Sequence, residues 1–395
     1  MRNFRSTTVR ILLAMGLAAQ LAACSSLKEN VSTGFGLFGS KDNSVKPAAL
    51  VDFKPSLVLG TAWRASVGEA GDYVFFPALY GNSVFAAGHD GKIARFEADT
   101  GRTVWTVDAG KKLTGGVGAG EGIVVVGTPE AQLLAFDEGD GHPLWQARLS
   151  GEILSAPAIL NDVVVVRTGD GRLYGLDARD GKRKWTYLRP NPALTLRSYA
   201  GALVERGAVF SGFAGGKLAA LDLGTGAVGW EANVALPHGV TELERIADIT
   251  STPVADSGQI YAVAYQGRVV SIDIPSGNIV WARDMSSFSG LAVDGYNVYV
   301  SDAKGAVVAL DRASGASMWK QDKLTARQLS APAVLGRYVV VGDLEGYVHF
   351  LSRDDGSFAG RIATDGSPIR ARPLDIGGGV LVQTSKGGLY VIRPQ

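Results

Sequence analysis

Few side chains in this sequence are placed to do chemistry. The four histidines (His89, His142, His238 and His349) lie in different parts of the chain without metal-ligand spacing, so we predict turn and surface positions for them rather than a zinc site. The segment Gly115–Gly120 resembles a phosphate-binding loop, but no Gly-Lys-Ser/Thr follows it, and it is interpreted as a turn between strands. No serine lies in a nucleophile elbow. The sequence therefore predicts no catalytic residue and no metal site.

The one cysteine, Cys24, lies at the end of an N-terminal targeting segment. Three arginines (Arg2, Arg5 and Arg10) precede an apolar stretch at 11–21 that is too short to span a bilayer stably. The following Leu-Ala-Ala-Cys resembles a bacterial lipobox, which predicts removal of residues 1–23 and acylation of Cys24. The alternative is an ordinary secretory signal with an incidental cysteine.

Acylation would determine where the protein resides. More than one acyl chain gives stable anchoring, because each buried CH₂ contributes about 0.8 kcal/mol and a single chain is marginal. Ser25 follows the cysteine where inner-membrane retention signals typically have Asp, so we expect an anchor on the periplasmic face of the outer membrane. Residues 24–52 lack strand or helix periodicity, and we interpret them as the lipidated cysteine and a flexible tether.

The rest of the chain, residues 53–395, repeats an Asp-x₃-Gly-x₃-Trp motif. Asp177, Gly181 and Trp185 form one copy, in which we expect Asp to accept turn N–H groups, Gly to supply a positive φ, and Trp to cover the gap between blades. The balance of 39 basic and 38 acidic residues gives no reason to expect nucleic acid. All seven tryptophans occupy this one position: Trp63, Trp105, Trp145, Trp185, Trp230, Trp281 and Trp319.

Four short strands in each repeat of about 40 residues are typical of one propeller blade. The last copy, near 387–393, ends before its outer strand, whereas the strand around Trp63 has no repeat of its own. We therefore predict an all-β, eight-bladed β-propeller of four-stranded antiparallel blades, in which the N-terminal strand closes the last blade. An open solenoid is the alternative, but it would need polar capping repeats that the sequence lacks.

Two neighbouring repeats are longer than the others. Trp185 to Trp230 is 45 residues and Trp230 to Trp281 is 51, whereas the other intervals are 38 to 42. Each insertion follows an outer strand, at 189–201 and at 235–250, so both should emerge on the same face. Thr241 and Glu244 fit a capping box, which predicts a short helix near 241–248. Because rigid scaffolds carry function on loops, we expect a partner-binding site here.

The repeats resemble the PQQ-like repeats of quinoprotein dehydrogenases. With the lipobox, and with the stretches Leu194–Arg197, Thr241–Arg245 and Gly342–His349, the chain resembles the BamB family of outer-membrane protein assembly lipoproteins. This resemblance implies a non-enzymatic scaffold without cofactors or small-molecule substrates, which binds the POTRA domains of BamA in the β-barrel assembly (BAM) complex. It also implies the contact residues, which are Leu194, Leu196, Arg197, Glu242, Arg245 and Asp248.

One position departs from the family pattern. Asp248 matches an expected acid, but Thr250 stands where a second acid is expected, so Glu242 or Glu244 is the alternative. Two other functions remain open at this point. A periplasmic quinoprotein dehydrogenase would hold PQQ and Ca²⁺ on the propeller axis, but such enzymes commonly have a vicinal cysteine pair, which this chain lacks. The other alternative is a propeller lipoprotein that binds another envelope protein or a glycan.

Overall fold

The computed structural model describes residues 46–395, so the predicted signal segment and Cys24 lie outside the described residues. Residues 47–395 form one compact unit that consists of strands joined by turns and loops. Within the described part of the chain, no helix is long and apolar enough to cross a membrane.

The strands form eight four-stranded antiparallel sheets, and the first seven sheets each take four consecutive strands. Blades one to four comprise β2 (Ala78–Tyr80), β3 (Ser83–Ala87), β4 (Lys92–Glu97), β5 (Thr103–Asp108); β6 (Gly115–Gly120), β7 (Ile123–Gly127), β8 (Gln132–Asp137), β9 (Pro143–Arg148); β10 (Ala158–Leu160), β11 (Val163–Arg167), β12 (Arg172–Asp177), β13 (Arg183–Leu188); and β14 (Ala202–Glu205), β15 (Ala208–Gly212), β16 (Lys217–Asp222), β17 (Val228–Asn233). Blades five to seven comprise β18 (Val254–Asp256), β19 (Gln259–Val263), β20 (Arg268–Asp273), β21 (Ile279–Asp284); β22 (Gly290–Val293), β23 (Asn297–Ser301), β24 (Val307–Asp311), β25 (Ser317–Gln321); and β26 (Ala333–Leu335), β27 (Tyr338–Gly342), β28 (Tyr347–Ser352), β29 (Phe358–Ala363).

The eighth blade joins the two ends of the propeller. It contains β30 (Leu374–Asp375), β31 (Val380–Gln383), β32 (Gly388–Pro394) and, as its outer strand, β1 (Leu59–Ser66). β1 runs antiparallel to β32, with Trp63 opposite Val391 and Ala65 opposite Leu389. The predicted eight-bladed propeller and its closure by the N-terminal strand are confirmed. By pairing with β32, β1 covers an edge that the last blade would otherwise leave open.

The repeated motif joins each blade to the one before it. In blade three, Asp177 Oδ1 accepts a hydrogen bond from the Arg179 N–H (3.0 Å), and Gly181 has φ of +71°. The indole N–H of Trp145, in blade two, donates to the Ala178 carbonyl oxygen of this turn (2.8 Å). A Cβ atom on Gly181 would lie 2.6 Å from the Trp145 ring. The glycine is therefore required both for its positive φ and for close approach of the neighbouring tryptophan.

All seven tryptophans donate in this way to the next blade: Trp63 to Ala98, Trp105 to Glu138, Trp145 to Ala178, Trp185 to Leu223, Trp230 to Ile274, Trp281 to Arg312 and Trp319 to Arg353. Blade seven has Gly360 in place of this tryptophan. A Cβ atom on Gly360 would meet Leu57 and Leu59 of the N-terminal segment. The predicted role of tryptophan in packing between blades is confirmed.

The glycine-rich segment predicted as a turn is strand β6, the inner strand of blade two, and that prediction was wrong. A Cβ on Gly118 would lie 2.4 Å from the Pro157 carbonyl oxygen, and a Cβ on Gly115 would lie 2.6 Å from the Ile153 carbonyl oxygen. These glycines let the inner strands of blades two and three approach closely at the hub.

Residues 47–58, which we call the strap, pack against blade seven. The backbone N–H groups of Ser56 and Leu57 donate to the Ala359 carbonyl oxygen, both at 3.0 Å, and Phe53 stacks on Phe358 with ring centroids 5.2 Å apart. Arg327 Nη1 donates to the Ala48 carbonyl oxygen (2.8 Å). The strap belongs to the compact unit, which begins at Pro47, and it spans the predicted boundary between tether and propeller at residue 53.

A buried charged cluster beneath the strap includes His349. Its Nε2 lies 2.9 Å from Asp343 Oδ2, which also accepts from Arg327 Nε (2.7 Å), while Nδ1 faces Arg361 Nε at 3.3 Å. Arg361 in turn donates to the Val51 carbonyl oxygen (3.1 Å). His349 is fully buried, so its predicted surface position was wrong. Its ring is part of the cluster that holds the strap.

Candidate functional site

The two insertions lie on one face of the propeller, which we call the insert face. Each blade contains four strands of alternating direction, so every connection between blades returns to this face. The first insert, residues 189–201, joins β13 to β14, and the second insert, residues 234–253, joins β17 to β18. Neither insert contains a strand, and both are held by hydrogen bonds to the blades and to one another.

Asp248 ties the two inserts together. Its carboxylate accepts hydrogen bonds from the Leu196 N–H of the first insert (2.6 Å) and from the Gly215 N–H of blade four (2.9 Å). Only 2% of its surface is exposed. Asp248 was predicted as a partner contact, but its buried carboxylate is engaged within the chain. We assign it a positioning role in the insert face.

Arg167 supports the first insert from below. Its Nη1 donates to Ser198 Oγ (3.0 Å) and to the Ala200 carbonyl oxygen (3.3 Å). Burial lowers the pKa of the Arg167 guanidinium to about 10, and the nearby Asp248 carboxylate opposes that shift. A cavity of about 270 Å³ separates the insert from the blades here, with Arg167, Leu196 and Asp248 among its lining residues. Sequence reasoning missed Arg167, which is one of several arginines on strands and carries no motif.

Arg197 packs along the insert face. Its Nη2 forms an ion pair with Glu152 Oε1 (2.8 Å), and its guanidinium carbon lies 4.7 Å from the centroid of the Tyr73 ring. Two residues further, the Tyr199 hydroxyl donates to the Asp72 carbonyl oxygen (3.1 Å). About half of the Arg197 side chain stays exposed. The planar guanidinium is therefore held in place with one side still available to a partner.

The predicted helix in the second insert is a single turn. The capping box itself forms, because Glu244 Oε2 accepts from the Thr241 N–H (3.0 Å) and Thr241 Oγ1 accepts from the Glu244 N–H (3.2 Å). These backbone N–H groups lower the pKa of Glu244. The helix prediction was wrong because the residues after the turn, Ala247 to Ile249, are drawn into the core.

The turn presents an exposed mixed surface. Val240 and Leu243 are 91% and 67% exposed, and Leu236 is similarly open. Glu242 and Arg245 are exposed and lie 3.5 Å apart, and Arg245 Nε also donates to the Gly239 carbonyl oxygen (3.2 Å). Because Glu244 is occupied by its own turn, Glu242 is the acid of this pair that faces outward.

The first insert is less uniformly exposed. Leu194 is exposed, and Leu196 is partly buried above the cavity. In the second insert, the Thr250 hydroxyl donates to the Phe288 carbonyl oxygen (2.8 Å). Large apolar side chains without cover on a protruding loop are typical of protein–protein contact surfaces. The insert face thus combines Leu194, Val240 and Leu243 with the charged groups Arg197 and Glu242.

Among the described residues, one group of three side chains has the spacing of metal ligands, namely Asp137, Asp140 and His142. These are turn residues of blade two. Asp137 Oδ1 accepts from the Gly139 N–H (2.7 Å) and Asp140 Oδ1 accepts from the His142 N–H (3.0 Å). The turn explains their arrangement, and an exposed cluster of this kind does not by itself indicate a metal ion.

Comparison with known proteins identifies the family of this chain. The family model described as outer membrane protein assembly factor BamB matches residues 89–321, more than half of the chain. The outer membrane protein assembly factor BamB of Nitrosomonas eutropha is 43% identical over 99% of this chain and 96% of its own length. That of Bordetella pertussis is 42% identical over 91% of this chain and 94% of its own length.

Solved structures agree with this assignment. The crystal structure of BamB from Moraxella catarrhalis has a TM-score of 0.79 at 29% identity, and it aligns over 85% of this chain and 100% of that one. A quinohemoprotein alcohol dehydrogenase from Comamonas testosteroni has a TM-score of 0.68 at 13% identity, over 85% of this chain and 76% of that one, which shows a shared fold alone. The prediction of a non-enzymatic chain agrees with relatives that are assembly factors. The chain belongs to the family of outer membrane protein assembly factor BamB.

Proposed function

We propose that this chain is a non-enzymatic scaffold lipoprotein of the outer-membrane β-barrel assembly machinery, and that its insert face binds the POTRA domains of BamA. The observation that carries the proposal is the joined pair of inserts. Asp248 fixes them to one another, and together they hold Leu194, Val240 and Leu243 exposed beside Arg197 and Glu242. Acylated Cys24 would keep this surface at the periplasmic face of the outer membrane.

The chemistry of the insert face suits a folded protein partner. Exposed leucine and valine side chains gain free energy when a partner covers them, about 1.5–3 kcal/mol for each side chain that becomes fully buried. Arg197 is already oriented by Glu152 and Tyr73, so little side-chain entropy is lost when it contacts a carboxylate or a carbonyl of the partner. A rigid propeller that presents these groups would hold its partner at a fixed angle.

The test replaces exposed leucines and leaves the positioning residues intact. In the double variant Leu194→Glu with Leu243→Glu, we expect co-purification of BamA from detergent-solubilised membranes to be lost, because two apolar contacts become buried charges. The expected loss of affinity is about a hundredfold or more. Arg197→Glu is a less selective variant, since the new carboxylate would repel Glu152 and disturb the insert.

A matched control makes the same change, from an apolar side chain to glutamate, at a different place on the surface. Val280 and Met318 lie on the outer strands β21 and β25, away from the inserts, and they are 49% and 60% exposed, close to the 45% and 67% of Leu194 and Leu243. The double variant Val280→Glu with Met318→Glu should retain BamA. Retention of BamA by the leucine variant, or equal loss in both variants, would rule out the insert face as the binding site.

A further inference from the structure

Two arginines, one on blade seven and one on the loop that enters it, hold the strap. Arg327 Nη1 donates to the Ala48 carbonyl oxygen (2.8 Å), and Arg361 Nη2 donates to the Val51 carbonyl oxygen (3.1 Å). The Arg361 guanidinium carbon also lies 5.0 Å from the centroid of the Phe53 ring, which belongs to the strap. Both accepting groups are backbone carbonyls, so docking of the strap depends on where the two guanidinium groups stand.

His349 links the two guanidinium groups, and it does so as a neutral ring. Arg361, its cross-strand neighbour, donates from Nε to His349 Nδ1 (3.3 Å). A guanidinium accepts no hydrogen bond, so Nδ1 must be unprotonated and the proton of the ring lies on Nε2. Nε2 is 2.9 Å from Asp343 Oδ2, the same oxygen that accepts from Arg327 Nε (2.7 Å). A second proton, on Nδ1, would therefore point at an N–H group of Arg361.

The charges of the cluster also disfavour a second proton on the ring. In the described part of the chain, the titratable groups around His349 and its two arginines are three acids and a tyrosine, namely Asp343, Glu345, Asp52 and Tyr347. The carboxylates of Asp343 and Glu345 both pair with Arg327, so a charged ring would face the Arg361 guanidinium directly. Burial lowers the pKa of His349, and the two arginines act in the same direction against Asp343.

We propose that the strap is a proton-controlled latch, in which a second proton on His349 displaces Arg361 and the strap then detaches from blade seven while the propeller stays folded. The displaced guanidinium loses its hydrogen bond to the Val51 carbonyl and its contact with Phe53. Detachment lets water reach the ring, so the released state accepts the proton that the docked state excludes. The strap contains no strand and is held by few groups, so it opens at a lower cost than a blade does.

The pH dependence of the latch follows from this one proton. The ratio of docked to released strap is at its full value above about pH 6.5, where histidine ordinarily titrates, and falls by up to about tenfold for each pH unit below it. Aspartate and glutamate ordinarily titrate near pH 4, so the range from pH 5.5 to 7.5 isolates the histidine.

Release of the strap changes the reach of the chain. Freeing residues 47–58 adds up to about 40 Å to the segment that precedes the propeller. In a protein anchored through Cys24, this length would add to the distance that the propeller can move from the membrane. The latch itself requires neither the anchor nor the insert face, so it stands or falls separately from the proposed BamA contact.

The experiment measures hydrogen exchange of the purified full-length protein at pH 7.5, 6.5 and 5.5, with labelling times scaled for the intrinsic pH dependence of exchange. The reporters are the amides of Ala48, Ser56 and Leu57, which donate to backbone carbonyl oxygens of Thr325 and Ala359. At each pH we expect them to be less protected than the amides of β27 and β28, because the strap opens locally. Between pH 6.5 and 5.5 their protection should fall by up to about tenfold. Protection that does not change with pH, or that equals the protection of the blade at every pH, overturns the proposal.

His349→Gln removes the titrating group. A glutamine amide offers one donor and one acceptor and does not titrate, so protection of the strap should be independent of pH in this variant. His142→Gln is the matched control, since His142 is an exposed histidine whose Nδ1 lies 2.6 Å from Asp140 Oδ1 in a turn of blade two. It should respond to pH as the unmodified protein does. An equal response in the two variants would show that another group takes up the proton, which overturns the assignment to His349.

Arg361→Met gives a second test that does not require the histidine variant to fold. Methionine keeps an unbranched side chain against the Phe53 and Phe358 rings but removes the N–H groups that reach Val51 and His349. Protection of the strap at pH 7.5 should fall about tenfold or more, because a charge-assisted hydrogen bond is lost. Unchanged protection would mean that Arg361 does not hold the strap, and the latch would be refuted.

Discussion

Replacing Asp248 by alanine tests how the insert face is built. The carboxylate accepts one hydrogen bond from the Leu196 N–H of the first insert and one from the Gly215 N–H of blade four. Alanine removes both acceptors and also the negative charge that lies near buried Arg167. Asparagine keeps one oxygen acceptor but loses the charge, so it is expected to have an intermediate effect.

The expected cost of Asp248→Ala follows from the two backbone N–H groups that lose their acceptor. A partly buried N–H without an acceptor costs about 1–3 kcal/mol, and two such groups therefore cost about 2–6 kcal/mol if the insert stays in place. The insert has no strand of its own, so it can detach without unfolding the blades, and the smaller cost of detachment limits the loss in global stability. A loss of about 3 kcal/mol lowers the ratio of docked to detached insert by about 150-fold.

The assay follows the insert and the partner together. In Asp248→Ala we expect the amides of residues 189–201 to exchange hydrogen faster and BamA binding to weaken about tenfold or more, because only the docked insert is competent to bind. The midpoint of global unfolding should change little. Asp311→Ala is the matched control, since that carboxylate accepts the Ser314 N–H (2.8 Å) in a turn on the opposite face.

Two results would refute this reasoning. If the amides of 189–201 stay protected and BamA binding is unchanged, Asp248 does not position the inserts. If binding is lost while the amides stay protected, the carboxylate contacts the partner directly, and its burial in the free chain does not describe the bound state.

Two further predictions concern the strap and the anchor. Burial lowers the pKa of His349, so below about pH 6.5 the unfolded chain binds a proton that the folded protein excludes. The free energy of unfolding is therefore at its full value above that pH and falls as the pH drops, by up to about 1.4 kcal/mol per pH unit. Denaturant unfolding at pH 7.5, 6.5 and 5.5 should show a smaller fall for His349→Gln, and identical falls would contradict the assignment. Cys24→Ala should leave the precursor uncleaved and without lipid, as measured by mass spectrometry, whereas a lipidated product would show that another residue carries the anchor.

The repeat made most of the fold predictable. Asp, Gly and Trp at fixed spacing define a turn and the tryptophan that packs on the next turn, so the motif itself encodes the contact between blades. The strand around Trp63 belongs to no repeat of its own, and this likewise indicated that it closes the ring. Features without that spacing were predicted poorly. The glycines of β6 look like a turn in sequence, and only their approach to Pro157 explains them.

Residues that contact distant parts of the chain were the hardest to interpret. His349 looks like any other isolated histidine until Asp343, Arg327 and Arg361 surround it. The strap looks like a tether because its partners, Arg327 and Arg361, are about 280 and 310 residues away in sequence. Backbone carbonyls on the strap carry these contacts, and any sequence supplies backbone carbonyls. Apart from Phe53, which stacks on Phe358, the residue types of the strap therefore give little signal that it docks.

Asp248 shows why the position of an insert is easier to predict than the role of each residue in it. Unequal spacing of the tryptophans located both inserts correctly, since added length must leave the blade where the blades connect. An acid on such an insert can equally face a partner or accept backbone N–H groups, and its neighbours Leu196 and Gly215 are 52 and 33 residues away. Glu244 was drawn into its own turn in the same way. In the proposed site, the charges available to a partner are thus those of Arg197, Glu242 and Arg245, whereas Asp248 and Glu244 accept hydrogen bonds from backbone N–H groups of the chain itself.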